Sequence, residues 1–288
     1  QSILGCNTYQ QLRIFEDVIS LITNNYVEEV EVDHVMRGAL RGLVDSLDAD
    51  SSYLTTEQVT KMESGYPAPT AGVGLSLTRR YYLQTIAARD GSAAEQSGLE
   101  PGDYIRSIDG KSTRNMSVFE GSRLLRGEEG SVVSLTVIRG DAADPKDIEL
   151  IRRIPPSPTV SAELAESGTG YIRISAFGTK VTQLIESKTI SLLSKNIKNL
   201  IIDVRRTAEG PLSSGLTTAR LFVSEGILGS LEIRGIAPKP VVANPNISLT
   251  TLPIAVLTDA GTAGAAELFA AALSGNNRAE LIGMRTAG

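Results

Sequence analysis

The sequence is short of the side chains on which most hydrolases and metalloproteins depend. Among its 288 residues there is one histidine, His34, and one cysteine, Cys6. A histidine–cysteine metal cluster cannot be assembled from that stock. A lone cysteine makes no intrachain disulfide, which leaves the redox compartment open. A Ser-His-Asp triad would have to recruit His34. That residue opens the segment "VDHVMRGALRGLVDSL", where Val35, Met36, Ala39, Leu40, Leu43, Val44 and Leu47 recur at helical spacing. It reads as a surface or capping histidine, so any hydrolytic chemistry needs a different base. Runs of lysine and arginine are also missing, and the net charge is −5, which argues against nucleic acid as a partner. No apolar run approaches the roughly 20 residues that span a bilayer. There is no P-loop, and "AGTAGAAE" falls short of G-x-G-x-x-G, so no cofactor is expected. The chain opens on Gln1 rather than Met, leaving room for a removed targeting segment. Its "ILGC" at Ile3–Cys6 is a weak match to a lipoprotein processing site, because Leu4 stands where a small residue is preferred.

What remains is ordinary globular material, 41% hydrophobic and 21% charged, in a chain long enough for two or three domains. The pattern predicts a multidomain α+β protein. Residues 1–65 form an N-terminal helical segment, with Leu12, Phe15, Val18, Ile19 and Ile22 as one apolar stripe. A third helix in "TTEQVTKMES" takes Thr55 or Thr56 as its N-cap. Residues 70–155 are β-rich, with a hairpin turn at Asp109-Gly110 and an alternating strand in "SVVSLTVIRG". Residues 160–288 alternate strands and helices, the rhythm of a layered α/β domain with a mainly parallel sheet. In such sheets ligands sit beyond the carboxyl ends of strands. Two loops qualify, "RRTAEGP" after Val204 and "DAGTAGA" after Leu257.

The middle region resembles a PDZ domain, carried by "GLEPGDYIRSIDG" behind the glycine turn "AGVG". Gly72 and Gly74 let successive N–H groups point one way, a nest for a peptide's terminal carboxylate. The candidate peptide-binding residues are Gly72, Val73, Gly74, Leu75 and Leu77, the last two on a strand whose edge can pair with an extended ligand.

As a whole the chain resembles the carboxyl-terminal processing (tail-specific) serine peptidases. "GALRGLVDSLDADSSYLTTEQ" looks like their N-terminal helical segment, and "NLIIDVRRTAEG" like their strand and loop "LILDLRNNPGG". "PIAVLTDAGTAGAAELFAAALSGNNRAELIGMRTAG" looks like their nucleophile strand, elbow and helix. The resemblance implies a core of the crotonase/Clp-protease kind. It also implies protein or peptide C-terminal tails as partners and an extracytoplasmic location. The N-terminal helices, in which no chemistry is visible, read as a packing or dimerisation element that could pair copies of the chain. The family's serine–lysine dyad, in which a desolvated lysine takes the serine's proton, agrees with the lack of a usable histidine.

Matched position by position, the nucleophile is missing. Aligned on Glu267, the serine slot holds Gly264, flanked by Thr262 and Ala266 where the family carries serines. The candidate catalytic positions are therefore Gly264, Thr262, Ala265 and Gly210. Glu209 replaces a glycine of "NNPGG", setting a carboxylate where an oxyanion needs positive potential. The dyad lysine's position falls just past Gly288. The resemblance thus implies a tail-binding homologue with degenerate or absent catalysis; the alternative is an active endopeptidase using a displaced hydroxyl such as that of Thr262. Thr262 is otherwise expected to cap the helix that runs through Glu267.

Overall fold

The computed structural model describes residues 3–49, 51–64, 70–140, 144–154, 156–157 and 159–288, without the side chains of residues 3–7 and 166. Cys6's side chain and the expected limits at Gln1, Gly65 and Pro155 lie outside the described residues. The chain divides into two compact units, residues 1–64 and 65–288.

The first unit is helical: α1 (Ile3–Asn25), α2 (Val32–Asp45) and α3 (Thr56–Glu63). Thr55 caps α3 through a capping box, its hydroxyl accepting from the Gln58 N–H while the Gln58 side chain accepts from the Thr55 N–H. His34 is exposed in the first turn of α2, whose N-cap is Glu31. The α1 stripe is only partly covered. Phe15, Ile19 and Ile22 are half-buried, whereas Leu12 and Val18 are 57% and 46% exposed.

The second unit begins with a β-rich part: β1 (Leu75–Arg79), β2 (Leu83–Ala88), α4 (Ala93–Gln96), β3 (Tyr104–Ile108), β4 (Lys111–Ser112), α5 (Val118–Leu124), β5 (Val132–Ile138) and β6 (Lys146–Ile151). The sheet runs β1-β2-β3-β5-β6, with β4 paired to β3. Asp109 and Gly110 join β3 to β4 with φ of 48° and 74°, the left-handed pair that a two-residue hairpin demands. In β5, Val133, Leu135 and Val137 point into a core shared with Leu83, Ile105 and Ile108, as the alternation predicts. Helix α5 lies on this core so closely that a Cβ on Gly121 would stand 2.2 Å from Leu83 Cδ1.

The α/β part comprises β7 (Val160–Ala165), β8 (Thr169–Ile174), α6 (Thr179–Leu193), β9 (Asn199–Asp203), α7 (Leu212–Ala219), β10 (Ile227–Ile233), β11 (Ile236–Val242), β12 (Ile254–Thr258), α8 (Ala265–Gly275) and β13 (Ala279–Gly283). The five-stranded sheet has the order β13-β12-β9-β8-β7, parallel throughout except for β7. Ile172, Ile174, Leu200, Ile202 and Val256 from the strands meet Ile185, Phe222, Phe269 and Leu273 in one buried cluster. The "GSLEIRG" strand does not join this sheet. It lies mostly in β10, which among the described residues pairs with β11 alone, in a separate antiparallel ribbon. Pro238 and Pro240 in β11 cannot donate to a ladder, which suits an outlying strand rather than a central one.

Candidate active site and peptide groove

Strands β9 and β12 lie side by side with Leu257 opposite Asp203, so the loops that follow them leave the sheet at the same end. Two bonds knit these loops together. The Ala263 N–H donates to the Thr207 carbonyl at 3.0 Å, and the Arg206 N–H to Asp259 Oδ1 at 2.8 Å. Thr207 is fully buried; its hydroxyl donates to the Ile174 carbonyl and accepts from Arg173.

Gly264 is the N-cap of α8, at φ 58° and ψ −116°. This is a sharp strand-to-helix turn, in a conformation costly to any residue with a Cβ. There is room for one: a Cβ would stand 3.6 Å from Leu212 Cδ2 and 3.9 Å from the Ala208 carbonyl. Ala265 opens α8, and Gly210, at φ 123°, closes the neighbouring loop so tightly that a Cβ would meet the Phe177 carbonyl at 2.2 Å. Among the described residues, neither the Gly210 nor the Ala265 N–H donates to a protein acceptor.

The Thr262 hydroxyl is fully buried, donates to the Val204 carbonyl at 2.9 Å and accepts from the Asp259 N–H at 3.0 Å. It does not cap α8, contrary to the expectation from sequence. The chain makes a further turn before the helix, so the hydroxyl ties the elbow to Val204, just past the end of β9, instead. Glu267 is also a structural tie, accepting from the Thr286 hydroxyl and the Gly288 N–H. At the end of β9, Arg205 and Tyr171 both donate to Asp203. Burial pushes the Asp203 carboxyl up, but these hydrogen bonds and the Arg173 charge outweigh it and hold the group below the ordinary carboxylate range. Burial, then the bond to Asp203, pushes the Tyr171 phenol up. Among the described residues, no group of three or more His, Cys, Asp or Glu side chains is placed to hold a metal ion.

The second feature is a groove of about 620 Å³ beside β1, the edge strand of its sheet. Gly72, Val73, Gly74, Leu75 and Leu77 line it, with Ser122, Leu125 and Arg126 from α5 and the turn after it. Gly74, at φ 74°, has no space for a side chain, because a Cβ would lie 2.3 Å from that of Ser92. The Gly72 N–H is already given to the Arg153 carbonyl. The Val73 and Gly74 N–H groups donate to no acceptor among the described residues. Val73's side chain is buried in the core, so its contribution to the groove is backbone.

Ala208, Glu209 and Gly210 of the α/β part close one end of this groove. There the Arg89 guanidinium grips Glu209 in a two-pronged pair, Nε to Oε1 at 2.9 Å and Nη2 to Oε2. Arg173 pairs with Asp90 at 3.0 Å, and Arg206 reaches Glu95 at 3.4 Å and Asp90 at 3.8 Å. The sequence marked Glu209 as out of pattern but gave no sign of these partners, which lie in a different part of the chain.

Residues 168–288 match the profile of "Peptidase family S41", and residues 86–139 that of a "PDZ domain". The "Carboxy-terminal processing protease CtpA" of Bacillus subtilis is 30% identical over 270 residues, covering 93% of this chain and 58% of the relative. The "Carboxyl-terminal-processing protease" of Synechocystis is 30% identical over 258 residues, covering 87% and 60%. The chain thus spans about three fifths of the length of these relatives. The solved "photosystem II D1 C-terminal processing protease" shares the fold at a TM-score of 0.76, with 24% identity over 95% of this chain and 81% of that one. With a PDZ domain set ahead of it, the stretch 168–288 belongs to peptidase family S41, and the chain as a whole is similar to the carboxy-terminal processing proteases.

Proposed function

We propose that this chain binds the C-terminal tails of proteins or peptides and has lost the ability to cleave them. The observation that carries this reading is the contrast between an elbow without a reagent and a groove with open donors. Gly264 keeps the turn but brings no hydroxyl, and losing the nucleophile removes nearly all of a hydrolase's acceleration. The displaced-hydroxyl alternative is disfavoured, because both hydrogen-bonding roles of the Thr262 hydroxyl are spent on the Val204 carbonyl and the Asp259 N–H. The groove pairs an open strand edge and untaken N–H groups with apolar Leu75, Leu77 and Leu125, which suits an extended peptide ending in an apolar residue and a carboxylate. An extracytoplasmic setting, and pairing of copies through the exposed apolar side chains of α1, belong to the same reading. None of the helices is long and apolar enough to cross a membrane, among the described residues.

The test is incubation of the chain with an unstructured peptide ending in apolar residues, followed by mass spectrometry and a binding titration. The expected result is an intact peptide, bound by the wild type and released by Gly74→Val. Turnover that disappears in Thr262→Ala would overturn the silent reading.

A further inference from the structure

The lining of the groove carries three charged side chains, Arg89, Arg126 and Glu209. Arg89 is fully engaged: Nε and Nη2 hold Glu209, and Nη1 donates to the Pro156 carbonyl at 3.2 Å. It is largely buried, at 17% side-chain exposure. Arg126 follows α5, and its stem covers Gly72, where a Cβ would lie 3.5 Å from Arg126 Cγ. Its guanidinium has no ion-pair or hydrogen-bond partner among the described residues. The two arginines sense each other: burial, then the Arg126 charge, lowers Arg89 from its ordinary value. Two cations against one carboxylate leave the groove one positive charge in excess. Glu209 therefore already fills half of a site with cationic capacity for two carboxylates.

We propose that Glu209 is a built-in competitor for the ligand's terminal carboxylate, which Arg126 receives first and which must displace Glu209 to reach Arg89. This rests on the tail-binding reading above and adds to it what sets the affinity. A tail carboxylate entering beside Val73 and Gly74 meets an attractive Arg126 and a repulsive Glu209 sharing the same guanidinium neighbourhood. Like charges brought together at a binding site weaken binding and discriminate strongly between ligands. An amidated tail feels neither effect. Glu209 belongs to the α/β part and Arg89 to the β-rich part, so the competition also ties occupancy of the groove to a contact between the two.

The experiment titrates the whole chain with one fluorescent decapeptide in two forms, free acid and C-terminal amide. Glu209→Gln should raise the acid-to-amide affinity ratio by about tenfold, and Arg126→Gln should lower it by a similar factor. Thermal melts establish that each variant is folded, and Glu209→Ala repeats the measurement if the glutamine variant is not. A ratio unchanged by Glu209→Gln, or a loss of affinity for both forms, overturns the competitor proposal while leaving tail binding intact. Failure of the wild type to bind either form removes the tail-binding reading itself, and the proposal with it.

Discussion

At the scale of single residues, the silent reading proposed above turns on Gly264. Its backbone holds the elbow, and space for a side chain is present. Gly264→Ser should therefore fold, at a cost of about 1–3 kcal/mol for the strained conformation, read from the shift in chemical denaturation midpoint. A cost near zero would mean that the turn relaxes and is not held. Gly264 and Glu209 could be read as departures directly from sequence, because the surrounding motif fixes their register. The fate of Thr262 could not, since its acceptor is the Val204 carbonyl, brought near only by the pairing of β9 with β12. Nor could the partner of Glu209, because Arg89 is 120 residues away.

Asp203 gives the residue scale a pH signature. Its native carboxyl lies below the ordinary range, so it contributes stability above the unfolded value of about 3.9. That contribution drains away as pH falls through the lowered native value. Wild type should therefore lose stability steeply below about pH 4, whereas Asp203→Asn starts less stable and follows a flatter course. Denaturant titrations from neutral pH downward measure the two slopes, and parallel curves would show that Asp203 is not the group responsible.

At the scale of elements, the sequence was most legible where one local rule decided the outcome. The Asp109-Gly110 hairpin, the capping box of α3 and the alternation of β5 are set by turn chemistry, a side-chain cap and period-two burial. Strands β6, β7 and β11 carry weak signals. In β7 only Val160 is buried, and β11 is exposed and interrupted by prolines, so neither shows a clean pattern. Helix contacts were not legible at all. Helices α7 and α8 cross so closely that a Cβ on Gly215 would lie 2.0 Å from the Ala265 carbonyl. Backbone cannot retreat as a flexible side chain can, so Gly215→Ala should cost at least the ~1–3 kcal/mol of core overpacking. It should also displace the first turn of α8, and with it the Ala265 N–H beside Gly264. Denaturation gives the first effect, and the amide shift of Ala265 in an NMR spectrum the second.

At the scale of residues 65–288 as a unit, the PDZ part rests directly on the elbow it would serve. A Cβ on Gly261 would meet Arg206 Cα at 2.9 Å, Pro101 Cγ at 3.0 Å and the Ile86 carbonyl at 3.1 Å. Pro101 and Ile86 belong to the PDZ part, and Arg206 and Gly261 to the two loops at the sheet's end. Around this contact run the pairs Arg89–Glu209, Arg173–Asp90 and Arg206–Glu95. Their side chains are between 15% and 44% exposed, so salt weakens them without abolishing them. Gly261→Ala inserts one methyl where three backbone or ring atoms already crowd, and the softest response is for the PDZ part to lift. Trypsin should then cut faster after Arg152 or Arg153 in the variant, and raised salt should widen the difference as the remaining ion pairs are screened. Each part has its own buried cluster, so the core should survive that cut as a folded fragment. Equal cleavage rates in wild type and variant, at low and high salt alike, would mean that the elbow absorbs the methyl and that the contact at Gly261 does not hold the PDZ part in place.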